Sequence, residues 1–135
     1  MQKPIVVAKI QNFMRQLRKN NGKINQIPRS IAINFNNKCN FKCDFCYSAE
    51  CEYSNLDEYL SLDKIKELSI QAHELGIWEI VLQGGELLVN KQKLFELIEA
   101  LDPQKFQIVL VTNGWFITEK VAEQLKNCGV DCIAI

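Results

Sequence analysis

SLDKIKELSIQAHELGIWEIVLQGG, residues 61–85, holds one helix and one strand in tandem. Leu62, Ile65, Leu68, Ala72 and Leu75 recur at helical spacing and make a single apolar stripe. Ser61 stands where an N-cap hydroxyl accepts an orphan backbone N–H. Gly76 stands where a helix stops, because glycine enters the left-handed conformation without a Cβ penalty. Trp78 to Leu82 (WEIVL) then reads as a strand, interrupted at Gly84-Gly85.

Outward from this stretch the unit recurs in architecture but not in sequence. Asn90 caps a helix carrying Leu94, Leu97, Ile98 and Leu101 to a stop at Pro103, and Phe106 to Val111 (FQIVLV) is the next strand. Thr118 opens a last helix with Val121, Ala122 and Leu125, which Gly129 ends before a strand from Val130 to Ile135. On the other side, Ser30 to Phe35 (SIAINF) alternates apolar and polar residues as a short strand does. A polar connector with Pro28 precedes it. Before that, an amphipathic leading helix from Ile5 to Lys19 carries Val6, Ile10, Phe13, Met14 and Leu17, and Asn20, Asn21 and Gly22 end it. Strict alternation of strand and helix predicts an α/β fold with right-handed crossovers and a parallel sheet. The final strand, ending CIAI, has no helix after it. A buried terminal strand normally needs another element packed on it, so a fragment of a longer protein is expected.

Composition narrows the function classes. The 135 residues are 47% hydrophobic and 24% charged, as in a globular domain rather than a disordered tail. Sixteen basic and sixteen acidic side chains cancel and are interspersed, which disfavours a nucleic-acid or anionic-lipid surface. Apolar runs reach only about five residues, far short of the roughly 20 that span a bilayer, and no export signal opens the chain. A cytoplasmic location is therefore expected. In that compartment six cysteines point to metal or redox chemistry rather than to disulfides.

Three of the six lie together in Cys39-Asn40-Phe41-Lys42-Cys43-Asp44-Phe45-Cys46-Tyr47, the loop after the first strand. The C-x3-C-x2-C spacing lets three thiolates converge from one tight loop, each on a different iron of a cubane, leaving the fourth iron open. The competing reading is a structural zinc site in which Cys51 supplies a fourth thiolate. Position adds weight to the cluster, because parallel α/β folds bind ligands at the carboxyl ends of their strands. The cysteine loop follows the first strand, Gly84-Gly85-Glu86 the second and Thr112-Asn113-Gly114 the third.

These motifs together resemble the radical S-adenosylmethionine (SAM) superfamily, whose signature is C-x3-C-x-aromatic-C with Phe45 at the aromatic position. The resemblance implies that Cys39, Cys43 and Cys46 hold a 4Fe-4S cluster and that SAM chelates the open iron. Gly84, Gly85 and Glu86 resemble the GGE motif that binds the SAM amino group, with Leu87 where the family usually has proline. The resemblance also implies that Phe45 packs beside the adenine; an apolar lid on the cluster would serve as well. Asn113 belongs to a T-N-G like that of family members acting on peptides and proteins, and either hydrogen-bonds SAM or shapes a turn. A flavodoxin or ferredoxin would supply the electron that cleaves SAM to a 5′-deoxyadenosyl radical. That radical would abstract hydrogen from a substrate, which the T-N-G suggests is a peptide or protein.

The resemblance runs from about Ser30 to Ile135 and implies the first half of a partial (β/α)6 barrel, truncated after the fourth strand, with residues 1–29 as a helical leader and 30–135 as the core. The long leader and the T-N-G suggest the SPASM-type peptide-maturation branch. A small glycyl-radical activating enzyme and a noncatalytic zinc or iron-sulfur module are the alternatives. His73 reads as a surface residue, Cys128 and Cys132 as small buried hydrophobes, Cys51 as a loop residue, and Trp78 and Trp115 as core or rim fillers.

Overall fold

A computed structural model describes residues 3–24, 28–46 and 60–135. Among the described residues, four strands form one parallel sheet in the order β1 (Ser30–Asn34), β2 (Glu79–Gln83), β3 (Gln107–Val111) and β4 (Val130–Ala134). Each strand pairs with its sequence neighbour. Asn34 lies opposite Gln83, and Leu82 opposite Leu110, so the loops leaving the first three strands start side by side.

Three helices connect or follow these strands: α2 (Leu62–Glu74), α3 (Lys91–Ala100) and α4 (Glu119–Cys128). Their caps are those expected. The side chains of Ser61, Asn90 and Thr118 accept the backbone N–H groups of Lys64, Lys93 and Val121. Gly76 and Gly129 close α2 and α4 at positive φ of 80° and 102°. The helices lie against one face of the sheet. Alternation turns Ile33, Ile80, Leu82, Ile108 and Leu110 toward them, where they pack with Ile65, Leu94, Leu97, Ile98 and Leu125. Ser69 of α2 donates from Oγ to the carbonyl of Leu101 at 2.6 Å, fastening α2 to the end of α3. The other face, with Ala32, Asn34, Val81, Gln83, Val109 and Val111, carries no helix among the described residues, within which it is exposed or half-buried.

Strand limits differ from the expected ones by one residue, because apolar flanks such as Phe35 and Phe106 are buried just outside the ladder. Two 3-10 turns, Leu87–Asn90 and Pro103–Lys105, fall where no element was expected. Leu75, expected on the α2 stripe, is 53% exposed because the helix ends before it.

The leading helix α1 (Pro4–Lys19) departs most from expectation. Of its apolar stripe only Val6 is buried, and Met14 is exposed. Two lysines hold the helix instead. Lys3 Nζ donates to the carbonyls of Phe106 (2.9 Å) and Gly129 (2.8 Å) and pairs with Asp131. Lys9 Nζ donates to the carbonyls of Ile77 (2.7 Å) and Lys105 (3.0 Å) and sits 4.4 Å from the centre of the Phe106 ring. These carbonyls precede β2, β3 and β4, so α1 is bound across the amino ends of the strands. Partial burial, reinforced by the Lys105 charge, lowers the Lys9 pKa to about 8. Asp131 also accepts the N–H of Ile108 at 2.8 Å, where the β3–β4 register shifts. Among the described residues no helix is long and apolar enough to cross a membrane.

Candidate cofactor site at the carboxyl ends of the strands

Opposite α1, three loops meet at the carboxyl ends of β1, β2 and β3. The cysteine loop leaves β1 through buried Phe35 and Asn36. Asn36 Oδ1 accepts the N–H of Lys38 at 2.9 Å, an Asx turn that starts the bend, and the N–H of Cys46 donates to the Cys43 carbonyl at 3.1 Å. Cys39 is exposed, Cys43 and Cys46 are half-buried, and all three are free thiols. The N–H of Phe41 reaches Cys39 Sγ at 3.4 Å.

The glycine pair serves this loop directly. The N–H of Gly85 donates to the Asn36 carbonyl (2.8 Å) and that of Glu86 to the Lys38 carbonyl (2.7 Å). A β-carbon on Gly84 or Gly85 would collide with those carbonyl oxygens. The glycines therefore let backbone approach backbone, and the two N–H groups after Gly84 are spent on the cysteine loop.

Glu86 is fully buried. Its Oε1 accepts the N–H of Leu88 (2.9 Å), its Oε2 accepts the N–H of Asn113 (2.8 Å), and the Thr112 hydroxyl donates to both oxygens at 2.9 Å. The carboxylate, expected to face a ligand ammonium, is instead enclosed as the joint between the second and third loops. It also caps the 3-10 turn that Leu87 begins. Proline would fit at that first position too, since the N–H there has no partner within the turn. Leu87 is 1% exposed and belongs to the core.

Asn113 closes the ring of loops. Its Oδ1 accepts the N–H of Trp115 (3.0 Å), and its Nδ2 donates to Asn40 Oδ1 (2.9 Å) and lies 4.0 Å from Cys39 Sγ. Thr112, Asn36 and Asn40 were not singled out from sequence as site residues. The only signal was that Thr112 belongs to T-N-G and the asparagines to an Asn-rich loop.

Phe45 is 91% exposed. Trp115 is on the rim, 67% exposed, edge-on to Phe41 with ring centres 5.4 Å apart. Cys132 is exposed rather than buried, on β4, which among the described residues pairs with β3 alone. Cys128 is half-buried, and burial raises its pKa. His73 is half-buried rather than on the surface. Its Nδ1 is buried without a hydrogen-bond partner among the described residues, and desolvation, then the charges of Lys9 and Lys105, lower its pKa. Cys51 and the zinc site built on it lie outside the described residues.

Soft thiolates on one loop suit zinc or an iron-sulfur cluster. Among the described residues no three Cys, His, Asp or Glu side chains come together as ligands of a single ion. A cubane takes its thiolates at separate corners, and three cysteines on one loop suit such a donor set.

Comparison with known proteins agrees with this arrangement. The chain is 30% identical over 107 residues to a probable GTP 3′,8-cyclase of Methanocaldococcus jannaschii, covering 79% of this chain and 35% of that protein. It is 34% identical over 109 residues to the GTP 3′,8-cyclase of Helicobacter pylori, covering 78% and 33%. It thus spans about a third of the length of these curated relatives. Among solved structures, Streptococcus suis SuiB bound to S-adenosylmethionine superposes with a TM-score of 0.62 at 23% identity, over 91% of this chain and 27% of SuiB. The family model of the radical SAM superfamily matches residues 33–135, from the middle of β1 through all three converging loops, and the chain belongs to that superfamily.

Proposed function

We propose that this chain is the cluster- and SAM-binding part of a radical SAM enzyme. The observation that carries the reading is the hydrogen-bonded ring joining the cysteine loop, Gly84-Gly85-Glu86 and Thr112-Asn113-Gly114 on one rim. Cys39, Cys43 and Cys46 would hold a 4Fe-4S cluster, which supplies the electron that cleaves SAM to methionine and a 5′-deoxyadenosyl radical. With their N–H neighbours tied to the cysteine loop, Gly84 and Gly85 can offer the SAM amino group only carbonyl acceptors. Glu86 acts behind them, fixing the loop rather than touching SAM. Phe45, with its ring exposed beside Cys46, is available to the adenine face. A flavodoxin or ferredoxin fits as the electron source.

The same segment occurs in proteins named for GTP and resembles in fold SuiB, which has also been solved with its precursor peptide. What such proteins share is the generation of the radical. Substrate choice then belongs to other parts of each protein. A peptide substrate rests on the T-N-G, and a nucleotide on the cyclase relatives.

Anaerobic reconstitution with iron and sulfide, followed by EPR of the reduced protein with and without SAM, tests the reading. A 4Fe-4S signal that changes on adding SAM is expected, and Cys43→Ala should lose it. Full iron content in Cys43→Ala would overturn the ligand assignment. Bound zinc and no EPR signal in the unaltered chain would favour a metal-binding module.

A further inference from the structure

Asn113 was expected either to bond SAM or to shape a turn, but both ends of its carboxamide are used within the chain. The oxygen accepts the Trp115 N–H, so the orientation of the amide is set: its NH2 must face the other way, toward the cysteine loop. One N–H goes to Asn40 Oδ1 at 2.9 Å, which leaves the second for Cys39 Sγ, 4.0 Å away at the outer reach of an N–H···S bond. The same sulfur already receives the Phe41 N–H at 3.4 Å. The asparagine itself is held by its own backbone N–H on buried Glu86, so the donor is anchored to the end of β3 and not to the loop it serves.

Resting on the cluster-binding reading above, we infer that Asn113 is a positioning residue for the cluster: its carboxamide ties Asn40 to β3 and supplies a side-chain N–H donor to the Cys39 thiolate. Donors to cluster sulfurs stabilise the more negative, reduced state and so raise the reduction potential. Cys39, with two donors, is then the thiolate whose electronics the fold adjusts from another strand.

The experiment is EPR-monitored redox titration of the reconstituted full chain and three variants. Asn113→Ala deletes the donor but keeps the backbone N–H on Glu86. It should bind the cluster and titrate at a more negative potential, by about tenfold in the reduction equilibrium, or about 59 mV for one electron. Asn113→Asp keeps the shape, accepts the Trp115 N–H and puts a carboxylate beside the sulfur, so its shift should be larger in the same direction. Asn40→Ala removes the bridge but not the donor and should titrate close to the unaltered chain. An unchanged potential in both Asn113 variants, an equal shift in Asn40→Ala, or loss of iron from both Asn113 variants would each overturn the inference. If the unaltered chain takes up no cluster, the functional reading above fails instead.

Discussion

Glu86 shows how a motif residue can stand out in the sequence while its partners go unread. An acid after two glycines at a strand end suggests a ligand contact. In the fold both oxygens are consumed by Leu88, Thr112 and Asn113. Glu86→Ala should therefore strand several buried donors and cost about 2–4 kcal/mol, read as a lowered urea midpoint. Glu86→Gln retains an acceptor oxygen and should cost less. Gly85→Ala meets the Lys38 carbonyl and must push the two loops apart, so it should reduce iron uptake far more than Gly76→Ala, where a β-carbon meets open space. Iron per chain after reconstitution checks that ordering.

Among the elements, α2, α3 and α4 follow their sequence patterns because caps, stripe and stop signals act within a few residues. For α1 the pattern revealed the helix but not its attachment. Of its stripe Val6 is buried, Ile10, Phe13 and Leu17 are half-buried and Met14 is exposed, and Lys3 and Lys9 bind carbonyls at the amino ends of the strands. Lys9 carries a pH signature. Folded, it releases its proton near pH 8, whereas unfolded it holds it to about 10.5, so between these values the unfolded chain binds more protons. Stability conferred by position 9 should thus rise with pH across that window. The comparison is with Lys9→Met, which lacks the titration: the melting-temperature difference between the two should move in favour of Lys9 from pH 8 to pH 10. A constant difference would show that Lys9 is solvated as an ordinary surface lysine.

At the scale of the whole molecule, a sheet that carries α2, α3 and α4 on one face is tied off at both ends. Lys3 is 5% exposed and joins the start of the chain to Phe106, Gly129 and Asp131. Lys3→Met would leave Asp131 and two carbonyls without their cation, a loss of about 2–4 kcal/mol measurable by chemical denaturation. Because Lys3 lies across the molecule from the cysteine loop, iron binding by the folded fraction should be unchanged. Destabilisation without loss of iron affinity would separate the two ends of the fold.

From the sequence alone came the strand–helix alternation, the parallel sheet, the helix caps, the close spacing of three cysteines and the gathering of three loops on one rim. Each of these depends on periodicity or spacing over a short stretch. Only tertiary structure decided what the loops do to one another. Thr112 and Asn113 stand 26 and 27 residues from Glu86, Asn40 and Cys39 stand 73 and 74 from Asn113, and the partners of Lys3 more than 100 from it. A hydrogen bond across such distances leaves no local pattern. At the rim it forms because the register of β1, β2 and β3 brings their ends together, and burial of Glu86 and Thr112 then requires their polar groups to find partners.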